Sequence, residues 1–345
     1  MTGLLTPATP APSTSVVAAL LAALCWTVAT LLWRRLPSAW TAQQLNLRKT
    51  LLAFLLQLPL LALVRWPPAF QGEALWLLAL SGVVGIAWGD SLFFGALRRL
   101  GTRRSLTLSA GGPALTALVG LATLGERPRV AQWLGIGLIS LSVVVVARQR
   151  SADASASERA APATVPWAGL GLALAAMACG SAGALLARMA LRSGEVPALV
   201  AATVRLGAAS LILLPVGARL RLRLARRPLS PLPSSRAWPL IWPFPWPLSW
   251  PLTSLSSLER WPTVLVATLL GTSLGIMLQQ LALKGLSGGL AVALLSTSPV
   301  LALPFARLEG DRPGLAGWLA ALAACAGVSL VAGLTLPGAG WPPGG

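Results

Sequence analysis

The sequence predicts an all-α integral membrane protein with ten transmembrane helices arranged as two inverted five-helix repeats. Its 345 residues are 55% hydrophobic and only 10% charged, with a mean hydropathy of +0.74. An ordinary soluble domain carries roughly a quarter charged residues. Ten apolar runs approach the length of about 20 residues that spans a bilayer as a helix. An internal duplication then divides these ten runs into two sets of five.

The predicted spans follow the apolar runs in order along the chain. They are 16–33, 46–64, 74–97, 105–124, 130–147, 167–189, 197–217, 262–283, 286–306 and 315–335. The first repeat covers 16–147 and the second 167–335, with tails at 1–15 and 336–345 and an Ala/Ser/Arg-rich linker at 148–166. The second span is the least certain helix by composition, because charged residues occupy its start and only 50–64 is free of charge.

Two segments in equivalent positions carry the duplication. GIAWGDSLFFGALRRLGTRRSLTLSAGGP at 85–113 matches GTSLGIMLQQLALKGLSGGLAVALLSTSP at 271–299, with Gly85, Gly89 and Pro113 aligned with Gly271, Gly275 and Pro299. A five-helix unit crosses the membrane an odd number of times. The second copy must therefore enter from the opposite side, as in inverted-repeat transporters.

The composition also excludes several kinds of site. Histidine is absent, so imidazole metal sites and histidine-based catalysis are excluded. The three cysteines lie within apolar runs and have no metal-ligand spacing. The net charge of +18 would suggest nucleic acid in a soluble protein, but here the basic residues lie between apolar runs and act as topology signals. We expect no metal, no cofactor and no nucleic-acid partner.

Loop charges give a first orientation. The odd-numbered loops hold 20 Lys and Arg against 6 in the even-numbered loops, which favours cytoplasmic odd loops and external termini. Seven of the 20 come from the loop that contains an insertion at about 228–256. Within it Trp238, Trp242, Trp246 and Trp250 each precede a proline, which excludes a helix. Two interpretations of this insertion remain open: a strip that lies on the membrane surface, and an expansion of a tetrapeptide that has no function.

Asp90 and Arg205 are the leading candidates for a binding site within the spans. An ionisable residue inside a membrane usually faces a polar cavity as a proton carrier or cation partner, and Asp90 lies midway along the third span. Its repeat partner is Ile276. The alternative is a carboxyl group satisfied by a neighbouring serine or the backbone. Arg205, aligned with Arg48, suits a substrate carboxylate or phosphate; the alternative is snorkelling toward the headgroups.

Other polar and aromatic residues complete the candidate set. Gln279 and Gln280 offer amide groups that either line a pathway or bond across helices. Further candidates to line a central cavity are Trp26, Trp88, Ser109 and Ser298.

Helix packing has a clearer signature. The pairs Gly85/Gly89 and Gly271/Gly275 place small residues on one helix face and let two backbones approach closely. Pro113 and Pro299 loosen the fourth and ninth helices in corresponding places. Interrupted helices in both halves point to a site near mid-membrane.

These residues resemble the ten-helix, EamA-type members of the drug/metabolite transporter superfamily. PALTALVGLATLGERPRVAQWLGIGLISLSVVVV at 113–146 is similar to the family pattern of a proline, an apolar stretch, an acid and a glycine-containing helix; 299–331 follows it more loosely. The family acid is Glu126 in the first copy, and Arg312 takes its place in the second. Arg48 and Arg205 match the family's basic residue opening helices two and seven. Members often have cytoplasmic termini, so orientation stays open.

The resemblance and the residues together imply a secondary transporter in the cell membrane. We expect it to move a small metabolite or toxic solute by alternating access, with Asp90 as the residue that carries a proton if transport is proton-coupled. Amino acids, amines and amphipathic drugs all suit one acid, one arginine and aromatics. A non-transporting scaffold and a channel are alternatives. An intramembrane enzyme is disfavoured, because the spans hold no second aspartate, no histidine base and no metal ligands.

Overall fold

A computed structural model describes residues 10–34, 42–64, 72–148, 167–192, 195–225, 261–306 and 314–333. These residues form ten helices long and apolar enough to cross a membrane, and no strand occurs among them. The ten spans are α1 (Pro12–Trp33), α2 (Gln43–Leu63), α3 (Glu73–Leu100), α4 (Arg104–Leu124), α5 (Val130–Arg148), α6 (Trp167–Leu191), α7 (Ala198–Pro215), α8 (Trp261–Gly285), α9 (Gly288–Phe305) and α10 (Leu315–Ala332). The predicted all-α membrane fold is confirmed.

Several spans depart from a continuous α-helix. The helix of α2 ends at Gln57 and a 3₁₀ turn, Pro59–Leu63, completes the span. The helix Ser91–Ser109 runs from the end of α3 into the start of α4. After a turn, the helix Gly112–Leu124 forms the rest of α4. α9 is divided into Gly288–Leu295, Ser298–Leu301 and Leu303–Ala306. Pro113 and Pro299 therefore lie in the first turn after a break, where a proline lacks no helical hydrogen bond.

Each repeat contains a π-helical segment in its third span. In α3 it covers Val83–Asp90 and in α8 it covers Leu269–Leu274, which are aligned by the 186-residue offset of the duplication. A π-helical turn is wider than an α-helical one and is frequent at functional sites. The sequence comparison found the duplicated glycines here but did not predict the wide turns around them.

The two repeats are interleaved through these segments. Gly85 in the π-helical turn of α3 lies against Gly183 of α6, where a Cβ atom on Gly183 would come within 2.7 Å of the Gly85 Cα. In the second copy Gly271 of α8 lies against Ala29 of α1, the residue aligned with Gly183. The first helix of each repeat thus packs on the third helix of the other, as an inverted pair requires.

A second close contact joins the fifth helices of the two repeats. A Cβ atom on Gly135 of α5 would lie 2.7 Å from the Gly327 carbonyl oxygen of α10, and one on Gly327 would lie 2.8 Å from the Gly135 oxygen. Small residues at such crossings permit close backbone approach without lipid between the helices. The linker after Arg148, the Trp/Pro insertion and both chain tails are outside the described residues, apart from the end of the N-terminal tail at 10–15.

The contact between α3 and α6 gives a test of the interleaved packing. Gly183→Ala should lower the free energy of unfolding by about 1–3 kcal/mol, because its methyl group overlaps the Gly85 backbone. Gly180→Ala in the same helix is the matched control, since a Cβ atom there meets nothing within 4 Å. Thermal unfolding in detergent measures both. Equal midpoints for the two variants would contradict the close contact.

Candidate functional site

An ion pair inside the membrane spans is the centre of the candidate site. The Lys49 ammonium group on α2 lies 2.5 Å from Asp90 Oδ2 at the end of the π-helical segment of α3. The side chains are 15% and 35% exposed, respectively. Lys49 Nζ also lies 5.3 Å from the ring centre of Phe94, one turn after Asp90. Because charges in a membrane are costly alone, the pairing neutralises both groups where they stand.

One face of α2 supports this pair. Asn46 is fully buried and its amide nitrogen donates to the Ile86 carbonyl oxygen at 3.0 Å and to Ser91 Oγ at 3.2 Å. The Thr50 hydroxyl donates to Asn46 Oδ1 at 3.4 Å. Asn46, Lys49 and Thr50 are three and four residues apart, so they share one helix face. That face holds both the π-helical turn and the ion pair.

Arg205 reaches the same region of α3 from α7. Its side chain is buried, its Nη1 donates to Gln279 Oε1 at 3.2 Å, and its Nε has no hydrogen-bond partner. Glycines make room for it: a Cβ atom on Gly82 would collide with the Arg205 carbonyl oxygen, and one on Gly85 would lie 3.4 Å from Nη2. A buried guanidinium group with a free donor is suited to an anionic or carbonyl group.

Gln280 and Lys284 form a second polar position one helical turn apart on α8. Gln280 is fully buried and donates to the Ile276 carbonyl oxygen at 3.3 Å, while its Oε1 has no partner. Lys284 is 1% exposed and its Nζ has no hydrogen-bond partner. Gln279 faces Arg205, so the two adjacent glutamines serve different helix contacts.

The remaining predicted residues are Trp26, Trp88, Ser109 and Ser298. Ser298 Oγ is 3.0 Å from Thr27 Oγ1, and Trp26 lies against Gly275, where a Cβ atom would come 2.5 Å from the indole nitrogen. Ser109 donates to the Ser105 carbonyl oxygen of its own helix. Trp88 lies two residues before Asp90 in the π-helical segment and is 53% exposed. The structure joins Trp26 and Ser298 to the contacts of α1 with α8 and α9.

The duplication is broken at the ion pair. Asp90 aligns with Ile276, and the offset that relates Arg48 to Arg205 aligns Lys49 with Leu206. Ile276 and Leu206 belong to one buried apolar cluster formed by α2, α3, α7 and α8. The first repeat therefore holds a charge pair where the second holds two aliphatic side chains.

Lys49 is the functional candidate that the sequence analysis missed. The sequence analysis counted it only among the charged residues at the start of the second span. A usable signal was present, since Lys49 and Lys284 are the only lysines and both lie within helical spans. The structure also gives Glu126 a partner, Arg188 at 3.1 Å, at the end of α4.

The comparisons with known proteins agree with this architecture. A solved crystal structure of a protein is similar to the chain, with a TM-score of 0.66 and 18% identity over 93% of this chain and 97% of that one. At that identity the likeness concerns the fold alone. No curated protein gives a significant match.

The fold and the ion pair define a multi-pass membrane protein built from an inverted repeat with a charged site in its spans. The model of the EamA-like transporter family matches residues 13–148 and again residues 167–333, nearly the whole described chain. The protein belongs to this family, within the drug/metabolite transporter superfamily.

The contribution of the Lys49–Asp90 pair to stability is tested by replacing it with the aliphatic residue types of the second repeat. Lys49→Leu alone should lower the free energy of unfolding by about 1–3 kcal/mol, because Asp90 is left without its cation. The double variant Lys49→Leu with Asp90→Ile places at these positions the residue types of the aligned Leu206 and Ile276, and it should restore most of the lost stability. Thermal unfolding in detergent compares them. Equal losses in the single and double variants would mean that packing, not charge compensation, is the main contribution.

Proposed function

We propose that the protein is a secondary transporter that moves a small metabolite or toxic solute by alternating access, coupled to protons at Asp90. The family supports membrane transport. The observation that carries the finer proposal is the Lys49–Asp90 pair, placed at the end of a wide helical turn in the third span. Rocking of one inverted repeat against the other exposes the site to each side in turn.

The ion pair supplies a reason for tight coupling. An unpaired charged side chain within the spans costs roughly 2.5–3.5 kcal/mol, so Asp90 needs a partner in the carrier without cargo. Lys49 neutralises Asp90 in that state. A proton or a cationic group of the cargo then competes with Lys49 for the carboxylate, so binding at Asp90 and release of Lys49 are one event.

Arg205 extends the site toward α8. Its free Nε and its bond to Gln279 place a donor within the same helix group, α2, α3, α7 and α8. Cargo with an acceptor group would meet Arg205, while a proton or a cationic group would meet Asp90. The arrangement suits solutes with polar groups at two ends, and it leaves amino acids, amines and amphipathic drugs as the panel to test.

Proton coupling at Asp90 has a direct test in proteoliposomes that enclose a pH-sensitive dye. We expect individual solutes from a panel of amino acids, amines and amphipathic drugs such as the cation ethidium to produce proton flux with the native protein. Asp90→Asn should abolish it. Glu73→Gln is the matched control, because Glu73 is exposed at the start of α3 and should leave the flux intact.

The same vesicles separate the alternatives. Flux that persists in Asp90→Asn would remove this residue from the coupling mechanism. Exchange of labelled solute against unlabelled solute inside the vesicles identifies a transporter, whereas a scaffold gives no exchange. Conduction that is not accelerated by solute on the far side would indicate a channel.

A further inference from the structure

A second buried ion pair joins the two repeats at one face of the membrane. This face is the one at which α4 meets α5, α6 meets α7 and α8 meets α9, and is called the even-loop face below. Glu126 follows the end of α4 in the first repeat, and Arg188 lies in the last turn of α6 in the second. The Arg188 Nε lies 3.1 Å from Glu126 Oε1, and the side chains are 11% and 9% exposed.

The pair also binds both sides of the short connection between α8 and α9. Arg188 Nη1 donates to the carbonyl oxygens of Leu283 and Lys284, each at 2.9 Å, at the end of α8. The Gly288 N–H at the start of α9 donates to Glu126 Oε2 at 2.8 Å. The two side chains thus satisfy backbone groups that helix ends leave without partners. Four helices from both repeats meet at one charge pair.

The chain around Glu126 is shaped for this contact. Gly125 ends α4 with a φ of 65°, in the left-handed region, and the Glu126 N–H returns to the Gly120 carbonyl oxygen at 3.2 Å. Glu126 is thereby directed back over its own helix, where its Oε2 lies close to Gly120 and Gly288. A larger residue at either glycine would collide with Glu126 or Leu185.

Below the pair the repeats are tightly closed. A Cβ atom on Gly289 of α9 would lie within 2.6 Å of the Ala117 Cα of α4. Ser181 lies about two helical turns before Arg188 along α6, and its Oγ accepts a hydrogen bond from the Thr116 hydroxyl at 2.9 Å; both residues are buried. At this level α4 therefore packs closely against both α6 and α9.

The charge pair is not repeated by the duplication. The residue aligned with Arg188 is Arg34, and the residue aligned with Glu126 is Arg312. Two arginines cannot form the same acid–base contact. The side chains of Arg34 and Arg312 lie outside the described residues.

We propose that Glu126 and Arg188 form the latch of the gate on the even-loop face, which must open to admit or release solute on that side. The proposal rests on the alternating-access function proposed above. Both residues act by holding helix ends of the two repeats together and touch no solute. Separation of Glu126 from Arg188 frees α9 to leave α4 and uncovers the Thr116–Ser181 contact.

Reporter cysteines test the latch without knowledge of the cargo. In a variant with Cys25, Cys179 and Cys325 replaced by alanine, S181C reports the closed seam under the latch and S109C reports the opposite half of the bundle. Each reporter is reconstituted in lipid nanodiscs, where both faces are accessible, and treated with a membrane-impermeant maleimide. E126Q keeps an oxygen for the Gly288 N–H but removes the charge that pairs with Arg188.

E126Q should raise the labelling rate of S181C about tenfold, the shift expected when one charge-assisted contact is lost from the closed state. R188Q should do the same, and E73Q, on an exposed acid of the same face, should not. Labelling of S109C should fall at the same time, because opening one face of an alternating-access transporter closes the other.

Other outcomes are decisive as well. An unchanged rate at S181C in both latch variants would overturn the latch. Faster labelling at both reporters together would mean general loosening of the bundle and would also overturn it. Faster labelling at S181C with no change at S109C would support the latch and contradict the alternating-access cycle, so the two proposals fail in distinguishable ways.

Discussion

The absence of water in the hydrocarbon core is the constraint on which this structure depends, because every backbone polar group there needs a partner within the protein. The two π-helical turns make that demand acute, and α2 meets it for both. Asn46 donates to the Ile86 carbonyl oxygen in α3, and Gln57 donates to the Ser273 carbonyl oxygen in α8 at 2.8 Å. Gln57 is in turn bound by the Thr203 hydroxyl at 3.0 Å. The span with the lowest hydropathy of the ten is thus the one that supports both repeats.

The two repeats share their backbone geometry but differ in their charged side chains. Paired π-helical turns and the crossed contacts of Gly85 with Gly183 and of Gly271 with Ala29 preserve the inverted geometry. The charges have diverged, since Lys49 and Asp90 align with two aliphatic residues of the second repeat. Backbone geometry is constrained by packing along the whole interface, whereas a charge pair needs only one cavity. The duplicated fold therefore keeps its helix contacts in both repeats, while the Lys49–Asp90 pair belongs to the first repeat.

The two ion pairs lie at different levels of the bundle. Lys49 and Asp90 join α2 and α3 of the first repeat within the spans, and Glu126 and Arg188 join both repeats at the even-loop face. The first pair stands next to a wide turn, and the second holds the ends of four helices. Under the proposed function, cargo or a proton separates Lys49 from Asp90, and movement of one repeat against the other separates Glu126 from Arg188. The wide turn in α8 lies in the same helix whose end Arg188 binds.

The sequence by itself determined the fold class, the ten spans, the duplication and its inverted sense, because apolar length and an odd number of crossings are properties of the chain read in one dimension. It also singled out Asp90 and Arg205 as charged residues within spans. Only the tertiary structure decided their partners, Lys49 and Gln279. Those pairings join residues 41 and 74 positions apart. They depend on the rotation and depth of each helix. Both are set by glycine contacts between helices and by the π-helical turns within α3 and α8, and no periodic sequence pattern predicts either property.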